Sequence, residues 1–466
     1  MASTTPRDTG RDFENAARIL AGKIQAALSG PNRSDLPRGG VAIRLQVALP
    51  PLEVLDWLSG QNQPTRIYWR DRNAGFETAG VGTACGVDTP ADPDLGRLFD
   101  RLRNCLPAAD VIRFYGGMAF DRQPSNSADR DWALFPRCHF VIPRFELTAA
   151  NDGTFLACHL LPDRDRDNTG EILRQLDRLA ATPHLAPVSL PKLAERVDTP
   201  NKSEWYAMIG DALDDIGRKN LEKIVLARKT SLRFADRLDP MVTMKHMKSS
   251  SAGCYHYCFQ MTESAAFLGA SPEKLFSRCR DEIESEALAG TRPRGESEED
   301  DEALARELLT SSKDMREQQY VADHVTEALR KLCRAPVERG PRQVVKLAGV
   351  QHLCTSFRGK LAGSVSDAEI LGELHPTPAV AGTPTRKALE RLSRLEPFDR
   401  GWYAGPVGWV SHDAAEFAVG IRSALIAGSK LHGYAGAGIV AGSRPEDEWH
   451  EIENKLDNLL KVVESS

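Results

Sequence analysis

Near the C-terminus a run of small residues, Gly433-Tyr-Ala-Gly-Ala-Gly-Ile-Val-Ala-Gly-Ser443, leads straight into an acidic segment, Arg444-Pro-Glu-Asp-Glu-Trp-His-Glu-Ile-Glu-Asn-Lys455. This junction restricts the chain more than any other stretch. Glycines let a ligand approach the backbone closely and leave N–H groups free for an anion. Pro445 with three acids after it suits the first turn of a helix, where the dipole favours negative charge. At helical spacing Glu448, Glu451 and Lys455 fall on one face. They border an apolar stripe of Ile452, Leu456, Leu459 and Val463, while Glu453 and Asp457 point away. Two carboxylates and an ammonium beside such a stripe are costly unless paired or bound to something. Taken alone, the pattern also describes an ordinary amphipathic helix with a solvated acidic flank.

At 466 residues the chain can bury a large core, as one large domain or as several average ones. Its 60 basic and 65 acidic residues leave a net charge of −5 with no basic tract, which argues against a nucleic-acid partner. No run approaches the roughly 20 apolar residues needed to span a bilayer. Residues 1–10 lack the apolar stretch of a secretory signal. A soluble cytoplasmic protein with no membrane partner is therefore expected. The nine cysteines are dispersed. Cys254 and Cys258 flank Tyr-His-Tyr, but no second pair completes a zinc site, so core or free thiols are favoured.

Residues 1–12 are expected to be disordered. Apolar periodicity predicts helices over 13–28, 50–58 and 95–106, and strands over 41–47, 66–70, 76–87, 113–120, 138–147 and 153–161. This is an α+β pattern. The proline-rich, polar segment 183–200 is the best candidate for a boundary between 13–200 and 201–466, or for a loop between two layers. Beyond it a helix over 203–218, with Ser203 as N-cap, leads to the strand Lys223-Ile-Val-Leu-Ala-Arg-Lys-Thr230. Strands follow over 267–276 and 283–291, then a long helical segment over 298–333 that Ser311-Ser312 can break. Segments 344–353 and 358–363 are strand-like, 367–374 and 385–394 helical. Segments 401–411 and 417–427 read as a hairpin.

Several residues of the second half can carry chemistry. Lys223 opens an apolar strand, where a lysine snorkels, pairs or serves as a general base. Glu273 follows Ser271-Pro272 at a strand-turn corner, as a general acid or as a cap for nearby N–H groups. Glu317 shares the inward helix face of Val321 and Val325, which makes it a candidate ligand for a hard cation. Arg422 ends an apolar strand and wants a carboxylate from the protein or a ligand. Gly290-Thr291 offers close backbone approach. Each has a bland reading, but their concentration in one half of the chain does not.

The motifs Lys223-Ile-Val-Leu-Ala-Arg228, Ser271-Pro-Glu273, Leu288-Ala-Gly-Thr-Arg292, Ser312-Lys-Asp-Met-Arg-Glu317 and Gln351-His-Leu353 resemble blocks of the chorismate-utilising enzymes. So do Leu374-His-Pro-Thr-Pro-Ala-Val380, Ile421-Arg-Ser-Ala424, Gly436-Ala-Gly-Ile-Val440 and the closing Glu448-Trp-His-Glu-Ile-Glu-Asn-Lys455. All stand in the family's order across roughly residues 200–460. The family includes isochorismate, salicylate, anthranilate and aminodeoxychorismate synthases. The resemblance implies one large α+β unit of the anthranilate synthase component I type. Two layers of mainly antiparallel sheet would lie inside outer helices, with the N-terminal half part of the same unit.

It also implies roles. Glu317 and Glu451 would hold a magnesium ion, with Glu448 nearby and Lys455 beside the site. The magnesium would take the ring carboxylate of chorismate. Arg422 and Tyr403, with the backbone around Gly436, would bind the enolpyruvyl carboxylate. Gly290 and Thr291 would face the ring, and His352 would line the pocket. Lys223 would activate a water molecule for attack at C2, and Glu273 would protonate the departing C4 hydroxyl. A monomer is the implied state.

Members that add ammonia usually carry glutamine where this chain has Lys223. Aminodeoxychorismate synthases carry a nucleophilic lysine where it has Ala289, and no Leu-Leu-Glu-Ser tryptophan-binding motif is present. The block Ser285-Glu-Ala-Leu-Ala-Gly-Thr291, and Ile67-Tyr-Trp-Arg-Asp71 with Phe76 after it, resemble menaquinone-type isochorismate synthases. Isochorismate synthesis is thus the expected activity. Salicylate synthase and a non-catalytic chorismate-binding protein are the alternatives. The consuming pathway, whether menaquinone, a catechol siderophore or salicylate, stays open.

Overall fold

The computed structural model describes residues 9–29, 40–89, 94–108, 111–121, 130–181 and 189–464, with side chains to Leu456. Asp457, Leu459 and Val463 of the expected C-terminal helix pattern thus have side chains outside the described residues. Residues 1–8 of the segment expected to be disordered also lie outside. Thr9–Asp12 do not follow that expectation: they open the helix Thr9–Ser29, which buries Phe13, Ala16, Leu20 and Ile24.

The described strands form one continuous sheet of 20. Its spine is Cys138–Ala150, whose one edge pairs with Phe76–Thr89. Its other edge is shared by Phe114–Met118 and Gly153–Leu160. One arm runs from the spine through Phe76–Thr89, Arg66–Arg70, Tyr255–Thr262, Ala265–Ser271, Ser423–Ala427, Lys430–Val440 and Lys223–Phe234. The second runs through Phe114–Met118, Pro406–Val410, Ala414–Val419, Lys274–Cys279, Glu282–Pro293 and Val350–Lys360. Every one of these pairings is antiparallel, as alternating apolar and polar runs joined by short turns require. The expected layers are these two arms.

The N-terminal half supplies strands to both arms, because Arg66–Arg70 pairs with Tyr255–Thr262 and Phe114–Met118 with Pro406–Val410. Within the boundary expected over 183–200, Leu193–Thr199 is an edge strand paired with Lys223–Phe234. Buried rings of Trp132, Phe135, Phe259, Phe267 and Trp402 pack edge to face between segments distant in sequence.

Local details depart from the sequence reading for physical reasons. Asn201, not Ser203, caps the helix Lys202–Gly217, because its side chain accepts the N–H groups of Ser203 and Glu204 while Glu204 reaches back to Asn201 N–H. The long helical segment is two helices, Glu298–Thr310 and Ser312–Leu332, with Ser311 capping the second through Asp314 N–H. The hairpin joins Pro406–Val410 to Ala414–Val419 only. Ser423–Ala427 has by then crossed to the first arm, between Ala265–Ser271 and Lys430–Val440.

The C-terminal helix Pro445–Glu464 lies on Lys430–Val440 and against Lys202–Gly217 and Pro240–Ser250. Arg228, fully buried, clamps it to the sheet. Its guanidinium carbon sits 4.0 Å from the centre of the Trp449 ring, and its Nη2 bonds Glu453. Arg196 adds a 2.8 Å bond to the same carboxylate. Arg228→Ala removes a stacked, hydrogen-bonded cation and is expected to cost about 2–3 kcal/mol. Chemical denaturation would measure this, and an unchanged midpoint would exclude the clamp.

Candidate active site

Two neighbouring strands pass from one arm to the other side by side. Ala265–Ser271 continues through Pro272-Glu273 into Lys274–Cys279, and Ala414–Val419 returns through Gly420-Ile421-Arg422 into Ser423–Ala427. Ala270 N–H donates to Arg422 O at 3.1 Å and Val419 N–H to Glu273 O at 3.0 Å, so the crossings are bonded to each other. Arg422 takes a left-handed backbone, φ +51°, which costs a non-glycine residue about 1–2 kcal/mol. Glu273 and Arg422 are thereby brought to one cavity of about 240 Å³.

Ten of the twelve expected site residues line that cavity: Glu273, Gly290, Thr291, Glu317, His352, Tyr403, Arg422, Gly436, Glu451 and Lys455. The other two, Lys223 and Glu448, lie behind its wall, each against a residue that does line it. Lys223 is fully buried with Nζ 2.9 Å from Glu317 Oε1, although the angles do not make this a hydrogen bond. Glu448 is covered by Lys313, 2.8 Å away.

Burial raises the Glu273 carboxyl to about 8, Glu286 adding to the rise while Lys223 and Lys455 oppose it. A carboxyl that keeps its proton near neutrality can donate it. Burial and the charge of Arg422 hold His352 down at about 3, so its ring is neutral. The Gly290 carbonyl, 3.1 Å from Nδ1, can only accept, which assigns the proton to Nδ1. Nε2 is left as a buried acceptor without a partner. A hydroxyl donor would satisfy it.

Gly290 sits at a bulge where Ala289 and Thr291 shift register against Val350–Lys360, with φ +74°. A β-carbon there would also lie 3.1 Å from Asp314 Cβ. The bulge brings Thr291 Oγ1 within 3.1 Å of His352 Nδ1. Across the cavity Tyr403 stacks on Tyr434 at 5.3 Å, and a β-carbon on Gly436 would lie 3.0 Å from the Tyr403 hydroxyl. Lys455 Nζ bonds both Gly436 O at 2.8 Å and Glu451 Oε1 at 2.6 Å.

Three carboxylates of hard-oxygen character thus face three lysine side chains: Glu317 with Lys223, Glu451 with Lys455 and Glu448 with Lys313. No three His, Cys, Asp or Glu side chains among the described residues converge as a ready metal cage. The chemistry nevertheless fits a hard divalent cation, since Glu317 and Glu451 border the cavity and Glu448 Oε2 is a buried acceptor without a partner.

Sequence reasoning missed two participants. Gly438 belongs to a quoted motif, yet only the fold shows that a β-carbon there would lie 2.6 Å from Glu317 Oε1 and 3.1 Å from Lys223 Cε. Lys313, in Ser312-Lys-Asp-Met-Arg-Glu317, reads as a solvated helix-start lysine until the fold sets it on Glu448.

Residues 35–464 match the model of the chorismate binding enzyme family. The chain is 32% identical to isochorismate synthase 2, chloroplastic, of Arabidopsis thaliana, over 95% of this chain and 84% of that one. It is 31% identical to the isochorismate synthase MenF of Haemophilus influenzae, over 90% and 91%. The fold superposes on the menaquinone-specific isochorismate synthase of Escherichia coli with a TM-score of 0.83 at 28% identity, covering 96% of this chain and all of that one. With this fold, this cavity and these relatives, the chain belongs to the chorismate-binding enzyme family, alongside its isochorismate synthases.

Proposed function

We propose that the protein is an isochorismate synthase, an isomerase that converts chorismate to isochorismate with magnesium as cofactor. The observation that carries this reading is that Glu273, a buried acid that keeps its proton near neutrality, lines a cavity behind whose wall the buried amine of Lys223 lies. In this reading water adds at ring C2, the ring double bonds shift, and the C4 hydroxyl leaves. Lys223 takes the proton of the attacking water, and Glu273 gives its proton to the departing hydroxyl. Atoms balance, because one water enters and one leaves.

Arg422, Tyr403 and the backbone around Gly436 bind the enolpyruvyl carboxylate. His352 Nε2 accepts a hydrogen bond from a substrate hydroxyl. Glu317 and Glu451, with Glu448, would hold the magnesium, which supplies charge neutralisation for the ring carboxylate. Glu317 would thus hold the cation and also lies 2.9 Å from the Lys223 amine, so it joins the cation site to the base. Lysine at 223 favours water over ammonia as nucleophile. Salicylate synthase, which would go on to eliminate pyruvate in the same pocket, remains the second reading.

Purified protein with magnesium is expected to convert chorismate to a product that keeps its enolpyruvyl group, resolved by chromatography. Salicylate with stoichiometric pyruvate would select the second reading, and binding without turnover would refute both. Lys223→Ala should lower the rate by about 10³-fold. Glu273 holds its proton below about 8 and loses it above, so kcat/KM should fall as pH rises through about 8. A profile flat to pH ~9.5 would remove Glu273 as the acid. Gly438→Ala meets, as its nearest atoms, the far ends of the Glu317 and Lys223 side chains, not backbone. It should spare folding, checked by circular dichroism, and cost about 10²-fold in turnover.

A further inference from the structure

Of the three lysine–carboxylate pairs, the one at Lys313 differs in kind. Lys313 borders the cavity whereas its partner Glu448, 1% exposed, does not. The ammonium therefore stands between that acid and anything in the cavity. Glu448 Oε1 receives Lys313 at 2.8 Å, while Oε2 is buried without a hydrogen bond. Lys313 also feels the charges of Glu451 and Glu317.

The backbone gives Lys313 no reason to be there. It is the second residue of the helix Ser312–Leu332, where the dipole disfavours a cation. The acids must offset that cost. Its side chain is 41% exposed, so solvent is at hand to receive the ammonium if it leaves. By contrast Lys223 is fully buried, and Lys455 is tied by a second bond to the Gly436 carbonyl.

We propose that Lys313 is a tethered counter-ion of the cation site: its ammonium neutralises Glu448 when no metal is bound and swings toward solvent when a divalent cation enters. This rests on the reading that Glu317, Glu448 and Glu451 serve a magnesium ion. Metal affinity is then set by competition within the chain. A site covered by its own lysine for about nine-tenths of the time binds about tenfold more weakly than the uncovered site.

Calorimetric titration of the full chain with magnesium chloride alone tests this on wild type, Lys313→Gln and Lys313→Arg. Lys313→Gln should bind about tenfold more tightly. Lys313→Arg, whose guanidinium grips a carboxylate at two points, should bind no more tightly than wild type. A lysine that merely braced Glu448 would give the opposite sign, so unchanged or weaker binding by Lys313→Gln overturns the proposal while leaving the metal reading intact. Magnesium binding to none of the three overturns both. Should Lys313→Gln not fold, tighter binding by Lys313→Arg alone is sufficient to refute the competition.

Discussion

The backbone hydrogen bonds from Ala270 to Arg422 and from Val419 to Glu273 join two strands just where both change arms of the sheet. A strand alternates its side chains between two faces, so a residue that serves both arms must sit where that alternation is interrupted. Pro272 on one crossing and the left-handed backbone of Arg422 on the other make the interruption. The result is an acid and a cation, each at the end of an apolar strand, turned into the same gap. Remaining site residues reach the gap from whatever elements border it. Glu282–Pro293 contributes its bulge at Gly290, Ser312–Leu332 contributes Glu317, and Pro445–Glu464 contributes Glu451 and Lys455.

The charges in that gap pair off except for one cation. Glu317, Glu448 and Glu451 are matched by Lys223, Lys313 and Lys455. Arg422 adds a further cation that burial makes expensive. His352, neutral because of burial and Arg422, adds none. A dianionic ligand brought in with a divalent cation would leave the total unchanged, and each carboxylate of either party would meet a cation. That is the electrostatic sense in which the cavity would suit the proposed pairing of chorismate with magnesium better than either alone.

The N-terminal half supplies none of the described residues that line the cavity, but its strands join the two arms of the sheet. Its strands close the sheet on both sides of the crossings, through Tyr255–Thr262 in one arm and Pro406–Val410 in the other. Trp132 packs its ring at a tilt against Tyr434, itself the stacking partner of Tyr403. Arg228 does the corresponding work for the C-terminal helix, holding Trp449 and Glu453 so that Glu448, Glu451 and Lys455 face the other way.

What was legible in the chain was local chemistry in a fixed order. The glycine run before an acidic helix start, a lysine opening an apolar strand and an acid at a Ser-Pro corner are short-range patterns, and their combination marked the family and named residues of which ten line one cavity. Strand and helix types followed for the same reason, since periodicity is read within a dozen residues. The pairing of Leu193–Thr199 was not legible, because its partner strand Lys223–Phe234 is distant in sequence. Nor could sequence show that Gly438 must lack a β-carbon, since what it accommodates are side chains from Lys223 and Glu317. The helix pattern around Glu448 announced a costly cluster of charge but not its remedy. Helical spacing already set Lys455 beside Glu451, four residues apart. Only the tertiary structure decided that Glu317 is answered by Lys223 and Glu448 by Lys313, because those partners come from other elements and meet at distances of a few ångströms that no spacing along the chain encodes.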